Sequence, residues 1–562
     1  MSQFILPLLV LLPLAFAMMV AMAPAARAKS IALWGMLIPA GLGLAALFMF
    51  SWVGDSYQFE SAIEWMPQLG LSLRMGVDSV AMLLIALTLL LGPICVVASY
   101  TAITERVKTY YSWLLVLQSA MICVFSARDL VLFYIAFEFT LIPMYVLISL
   151  YGSTNRARAA TKFFLYTFTG SIIALAGLVY VVYFNATQSA GAVEGMGRWT
   201  TSIAPLLESA RYMSLGEQTF VLAALILGFG VKVPIFPFHT WLPLAHTEAP
   251  TAGSVILAGV LLKLGTYGLY RFALPIAPAA LAEYAPLLAV CAIIGIVYAG
   301  LICWVQTDVK KLVAYSSVAH LGFCVLGLLA LNHTGIAGSV LYMINHGLST
   351  GALFLLIGMM YERYHTRSMR EVGGLYKKMP IWGAFMVFFT MASVGLPGLN
   401  GFVSEIMCLM GTFQADKAWA GSLGGAGNTL GWGYAAIAGT GMIVAAMYLL
   451  IMLGKVVWGP LVEPDSHHHH DDEHESVLPT DLSRREIGVL IPLGLLCLVV
   501  GLYPKPMLDA IRGPVDETIR MVEQGRALHQ NAVPHDEHAV TPPTTHTQAP
   551  SSDPSTEEEH AS

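Results

Sequence analysis

The sequence predicts an all-α polytopic membrane protein of about fourteen transmembrane helices, organised as two inverted five-helix repeats with one broken helix in each. Three observations carry that expectation. Of 562 residues, 57% are hydrophobic and 11% charged, against about 25% charged in an ordinary soluble domain. The apolar residues fall in runs of about 20, the length that crosses the hydrocarbon core of a bilayer. Proline and glycine interrupt two of those runs, each beside an ionisable side chain.

The spans lie near residues 3–24, 31–53, 78–100, 111–127, 129–150, 161–184, 219–245, 251–274, 283–305, 309–330, 335–361, 379–412, 430–458 and 486–503. No basic residue precedes the first of them, so the run from Phe4 to Pro24 reads as a retained helix and not as a cleaved signal peptide. Loops after odd-numbered spans hold 17 Lys and Arg residues, and loops after even-numbered spans hold 6, Arg271 among them. Cytoplasmic loops concentrate basic residues, which places the odd loops inside and both termini outside.

The first break is set by Pro234, Pro237 and Pro243 in GVKVPIFPFHTWLP, the second by Gly395, Pro397, Gly398 and Gly401 in VGLPGLNGF. Non-helical backbone at membrane depth is tolerated only where it is buried in protein or lines a hydrated cavity. The breaks are five spans apart, and broken helices in corresponding positions point to inverted repeats around an ion path at the midplane. The expected organisation is therefore three N-terminal helices over 1–110, a first repeat over 111–274 and a second over 283–458. A His/acidic loop over 459–485 and a last helix over 486–503 follow. Within 504–562, residues 505–528 have the amphipathic spacing of a helix on the membrane surface, and the chain from about 531 onward has a disordered composition.

Lys232 and Lys263 each interrupt a long apolar run, whereas all 27 other Lys and Arg residues fall in connections or the tail. A charged side chain near the bilayer centre costs roughly 2.5–3.5 kcal/mol on insertion scales, so intramembrane charge marks function. Desolvation disfavours an ammonium, which suits these lysines to loading and releasing protons; the competing reading is a fixed cation that holds helices together. Glu138 and Glu405 divide the same way, between a switchable carboxylate and a neutral packing group. His320 and His346 suit a relay, since imidazole titrates near pH 6.5, although a lone buried histidine also serves as a plain hydrogen-bonded contact. His239, His246 and Glu248, beside the first break, are weaker candidates.

Seven cysteines, all in apolar stretches without CxxC spacing, give no framework for iron–sulfur, haem or disulfide chemistry. The run His467 to His470, followed by acidic residues, has a weak metal-binding composition but reads better as a solvated loop. The Gly-rich stretch at 424–433 lacks the strand that a dinucleotide site requires. Neither a metal nor a cofactor is expected in this chain, and there is no basic footprint for nucleic acid.

FEFTLIPMYVLI, GFGVKVPIFPFHTWLPLAHTEAPTAGSVILAGVLLKLGTYG, KKLVAYSSVAHLGF and INHGLSTGALF resemble the antiporter-like membrane subunits of respiratory complex I and their relatives in cation/proton antiporters. The resemblance spans roughly residues 70–460. Glu405, in GFVSEIM, matches the M-type members, since the L and N types carry lysine at that place, and no long lateral helix of the L type follows the last repeat. The resemblance implies a proton path in which Glu138 and Lys232 form a coupling pair and Lys263 is the central carrier. His320 and His346 then continue the axis, and Glu405 leads to the exit. It also implies partners of the L and N types, small membrane subunits and lipid in a bacterial inner membrane, with both termini periplasmic. NADH, FMN, iron–sulfur clusters and quinone would belong to other subunits. Two further readings stay open: a subunit of a secondary sodium/proton antiporter, and a structural subunit whose charges only pack helices.

Overall fold

A computed structural model describes residues 2–54, 57–66, 70–188, 196–416, 430–464 and 480–532. Among them, thirteen helices are long and apolar enough to cross a membrane. They begin with α1 (Ile5–Met22), α2 (Ala25–Met49), α3 (Ser79–Ala98), α4 (Val107–Ser126), α5 (Leu130–Tyr151) and α6 (Arg156–Thr187). After a short α7 (Ile203–Ala210), α8 (Leu215–Lys232) stops at the first break, and α9 (Leu242–Glu248) completes that crossing. α10 (Thr251–Ile276), α11 (Pro278–Trp304), α12 (Val309–Leu329) and α13 (His333–Tyr364) form the next four crossings. The second break divides α14 (Pro380–Val394) from α15 (Asn400–Gln414), two halves that together make a fourteenth crossing. α16 (Trp432–Val456), α17 (Arg484–Leu502) and α18 (Lys505–Ala532) close the described chain.

Burial sorts these helices. The apolar windows of α10 and α13 are completely enclosed by protein and that of α12 nearly so, while α2 and α17 bury only a third of theirs. In lipid, helices associate by close packing of small residues, and the central pair shows it: a Cβ on Gly347 of α13 would lie 2.9 Å from the carbonyl oxygen of Gly259 in α10. No larger residue leaves the two backbones that close, and the two enclosed helices carry Lys263 and His346.

The odd-numbered connections gather at one end, here called the basic end. Tyr151 donates to the Arg106 carbonyl at 2.7 Å, Thr101 to Glu362 at 2.5 Å, and Arg367 to the Thr247 carbonyl at 2.5 Å. Arg363 and Glu486 form a buried bidentate pair there, at 2.9 Å for each bond.

The opposite end differs from expectation in three ways. An antiparallel hairpin, β1 (Gln58–Met66) and β2 (Leu71–Val77), stands where no strand was anticipated. The amphipathic segment is a helix that runs on to Ala532, and its apolar face, with Ile511, Val515, Ile519 and Val522 buried, packs on the protein's own helix ends. The sequence placed that face on lipid; the ends of α3, α10, α11 and α13 offer a closer apolar surface. Tyr270 donates to the Pro514 carbonyl at 3.1 Å across this contact. Arg271, expected in a loop, lies inside α10, where it pairs with Asp78, the N-cap of α3, and donates to Tyr57 at 2.7 Å. A cation so close to the helix end remains helical because Asp78, Tyr57 and Tyr267, the last accepting from its Nε at 3.2 Å, satisfy it in place. Residues 424–429, the run at 467–475 and the tail beyond 532 lie outside the described residues.

Candidate functional site

Lys263 sits midway along α10 between two π-helical stretches, Leu257–Leu261 and Leu269–Ala273. A π turn shifts the hydrogen-bond ladder by one residue and is common where helices carry function. The Lys263 ammonium, fully buried, donates to the Ala258 carbonyl of the first π stretch. It also reaches His346 Nδ1 on α13 at 2.7 Å. With lysine as donor, His346 carries its own proton on Nε2.

From His346 the chain continues to His320 by ring contact, the Nε2 of each making no hydrogen bond. The His346 and His320 rings are 5.9 Å apart, centroid to centroid. His320 Nδ1 lies 3.1 Å from Glu405 Oε1, and both groups are buried. Tyr342 places its hydroxyl 2.7 Å from His320 Nδ1 and also hydrogen-bonds Glu405 Oε1. Glu405 reaches this point because the second break turns the chain beside it: Gly395, with φ +82°, ends α14, and a Cβ there would lie 2.6 Å from Glu405 Oε2. Lys263, His346, His320 and Glu405, drawn from four different helices, thus form one buried chain. Tyr342 was missed from the sequence. It stands four residues before His346 on the same helix face, a spacing that offered a signal.

The first break is built differently. Lys232 ends α8, where the helix dipole favours a cation. Its ammonium donates to the Phe137 carbonyl at 3.2 Å and to Thr140 Oγ1 at 3.4 Å, and it lies 3.4 Å from the Phe137 ring centroid. Trp241 closes the break by donating to the Val231 carbonyl at 2.8 Å. Glu138 neighbours Phe137 in α5, but its two carboxylate oxygens have no hydrogen-bond partner, the Ser171 hydroxyl being taken up by the Thr167 and Phe168 carbonyls. Among the described residues, neither a direct Glu138–Lys232 ion pair nor a side-chain hydrogen bond between Lys232 and Lys263 is present. α10 does lean on the end of α8: a Cβ on Gly265 would lie 3.0 Å from the Val233 nitrogen.

The weaker candidates separate. His246 is fully buried, stacks on Phe354 at 4.6 Å, has no partner on either ring nitrogen and lies within electrostatic reach of both Lys263 and Lys310. Glu248 instead accepts from Ser153 Oγ at 2.6 Å and from the Asn155 amide at 2.9 Å, which fixes the α5–α6 connection. It lines a cavity of about 420 Å³ at the basic end together with Lys310, Glu362, His365 and Arg367. Lys310, read from the sequence as a loop cation, is buried there and donates to the Ala249 carbonyl at 2.5 Å. His239 packs between Phe236 and Tyr298, apart from the chain.

Residues 127–431 match the family described as NADH:quinone oxidoreductase/Mrp antiporter, transmembrane. Subunit M of the Rhodobacter capsulatus NADH-quinone oxidoreductase is 38% identical over 530 residues, covering 91% of this chain and 95% of that protein. The chain belongs to this family. Chain 4 of the Chondrus crispus NADH-ubiquinone oxidoreductase, another relative, is 37% identical over 507 residues, covering 89% of this chain and 94% of its own length. A chain of respiratory complex I from Thermus thermophilus, solved with bound NADH, superposes with a TM-score of 0.78 at 26% identity, over 93% of this chain and all of that one. A chain of the Mrp complex from a Dietzia species shares the fold at a TM-score of 0.76 and 20% identity, over 94% of this chain and 99% of its own. Every residue of the buried chain lies within the span matched to the family.

Proposed function

We propose that this chain is a proton-translocating, M-type membrane subunit of an NADH:quinone oxidoreductase. It moves protons through its own side chains while electrons pass elsewhere in the complex. NADH, FMN, the iron–sulfur clusters and quinone are held by other subunits, and the L- and N-type and small membrane subunits are its partners. The observation that carries the reading is the buried sequence Lys263–His346–His320–Glu405, in which every neighbouring pair is in hydrogen-bond or ring contact. A structural subunit needs buried charges in compensated pairs, whereas this chain aligns four titratable groups with a single carboxylate at its end.

In this reading protons enter from the cavity at the basic end, which is cytoplasmic, and pass His246 to Lys263. Glu138 and Lys232 act on that step through charge rather than contact, since a nearby carboxylate favours the ammonium form of a lysine. Glu405 delivers the proton toward the hairpin end, which is periplasmic in a bacterial inner membrane and carries both termini. The two broken helices occupy equivalent places in inverted repeats over 111–274 and 283–458. Moving one proton against about 100 mV takes about 2.3 kcal/mol, within what charge rearrangement at one buried pair supplies.

Purification of the native complex in mild detergent tests the assignment. The chain is expected to co-purify with NADH-oxidising and quinone-reducing activity. Recovery with cation-driven proton exchange and without either activity would favour the antiporter reading.

A further inference from the structure

We propose that Tyr342 is a catalytic residue of the proton chain, its hydroxyl carrying the proton between His320 and Glu405. The proposal rests on the reading of that chain as a proton path, and it assigns the step to a residue that neither the family match nor the sequence motifs single out.

The geometry favours the hydroxyl over the direct contact. His320 Nδ1 is 2.7 Å from the Tyr342 oxygen and 3.1 Å from Glu405 Oε1. An imidazole nitrogen holds one in-plane hydrogen or one lone pair, so it serves one partner well, and the hydroxyl is the nearer one. Tyr342 bonds Glu405 Oε1 in turn, so its single oxygen touches both ends of the transfer. A phenol donates one hydrogen and accepts another, the combination a relay requires. Its ring is buried and stands edge-on to both imidazoles, at 6.1 Å and 76° from His320 and 6.5 Å and 78° from His346, which keeps the hydroxyl in place. His320 Nε2 has no partner. Nδ1 of the histidine therefore serves Tyr342, while its Nε2, like that of the neighbouring His346 ring, is free of any hydrogen bond.

The step balances without any change in electron count. The His320 Nδ1–H bond breaks as its proton joins the tyrosine oxygen. At the same moment the tyrosine's own O–H bond breaks, and that proton forms a carboxylic O–H at Glu405 Oε1. Imidazolium becomes imidazole, carboxylate becomes carboxylic acid, and the phenol is neutral before and after. The new hydroxyl hydrogen then points at His320, and it must turn back toward Glu405 before the next proton passes. That turn gives the chain a reset step.

Tyr342→Phe tests the proposal because it keeps the ring and its packing and removes one oxygen. Inverted vesicles carrying the full complex at wild-type content are assayed for NADH-driven proton uptake. General acid–base steps contribute about 10²–10⁴-fold, so uptake is expected to fall at least tenfold. Site-directed incorporation of a ring-fluorinated tyrosine at 342, which retains the hydroxyl, is expected to preserve uptake. Wild-type uptake in Tyr342→Phe overturns the relay, and so does an equal loss in both variants, which would make the effect one of packing. Glu405→Gln and His320→Ala are assayed beside them. If these two stop uptake while Tyr342→Phe pumps, the tyrosine assignment alone fails; if all three pump normally, the proton-path reading itself falls.

Discussion

Gly395→Ala tests whether the second break exists to present Glu405. Gly395 has φ +82° and ψ 42°, a left-handed conformation that costs an L-residue roughly 1–2 kcal/mol. The added methyl would lie 2.6 Å from Glu405 Oε2, and ordinary contact begins at 3.4 Å, so the carboxylate has to retreat by roughly 0.8 Å. It cannot retreat toward His320 or Tyr342, which already stand at hydrogen-bond distance from Oε1. The remaining route is another side-chain conformation, at about 0.5–1.5 kcal/mol, which takes Glu405 out of the chain. The total of about 1.5–3.5 kcal/mol is smaller than the roughly 5–15 kcal/mol that stabilises a typical domain, so the complex still assembles. NADH-driven proton uptake in inverted vesicles, normalised to complex content, is therefore expected to fall severely. Gly439→Ala, with open space around its Cβ position, serves as the neutral control. Wild-type uptake in Gly395→Ala at normal content would refute the argument that the break positions Glu405.

Lys263→Arg is expected to abolish uptake as completely as Lys263→Ala, because guanidinium keeps its proton at any accessible pH; a fully active arginine variant would reject the carrier role. Arg271→Ala leaves Asp78, with a side chain 2% exposed, without its cation. Breaking a buried pair from one side costs about 3–5 kcal/mol, so subunit content on an immunoblot should drop sharply and recover in the Arg271→Ala/Asp78→Asn double variant. For topology, a cysteine introduced at the exposed position 371 should resist a membrane-impermeant reagent in intact cells, and one at the exposed position 512 should react. The opposite pattern would invert the orientation argued from the 17 to 6 loop asymmetry.

The number of crossings and both breaks were legible in the sequence because they are local properties. In lipid every backbone amide must be satisfied within its own helix, so about 20 apolar residues make a span wherever they occur, and closely spaced breakers, prolines 234 and 237 or Pro397 between glycines 395 and 398, interrupt one locally. The rarity of cations inside those spans likewise marked Lys232 and Lys263 without reference to any neighbour. What the sequence left open was who meets whom. Lys263 and His346 are 83 residues apart, and His320 and Glu405 are 85 apart; their contacts depend on Gly259 and Gly347 letting two backbones touch and on Gly395 leaving room for a carboxylate. Tyr342 looked like one more apolar aromatic until its hydroxyl was placed between a histidine and a glutamate. Glu138 and Lys232, paired by expectation, proved to be neighbours without contact, since the ammonium found the Phe137 carbonyl and the Thr140 hydroxyl first. The amphipathic face of residues 505–528 was read from the sequence as lying on lipid, because the spacing of apolar residues records only that a face is buried and not against what. Tertiary packing chose the protein.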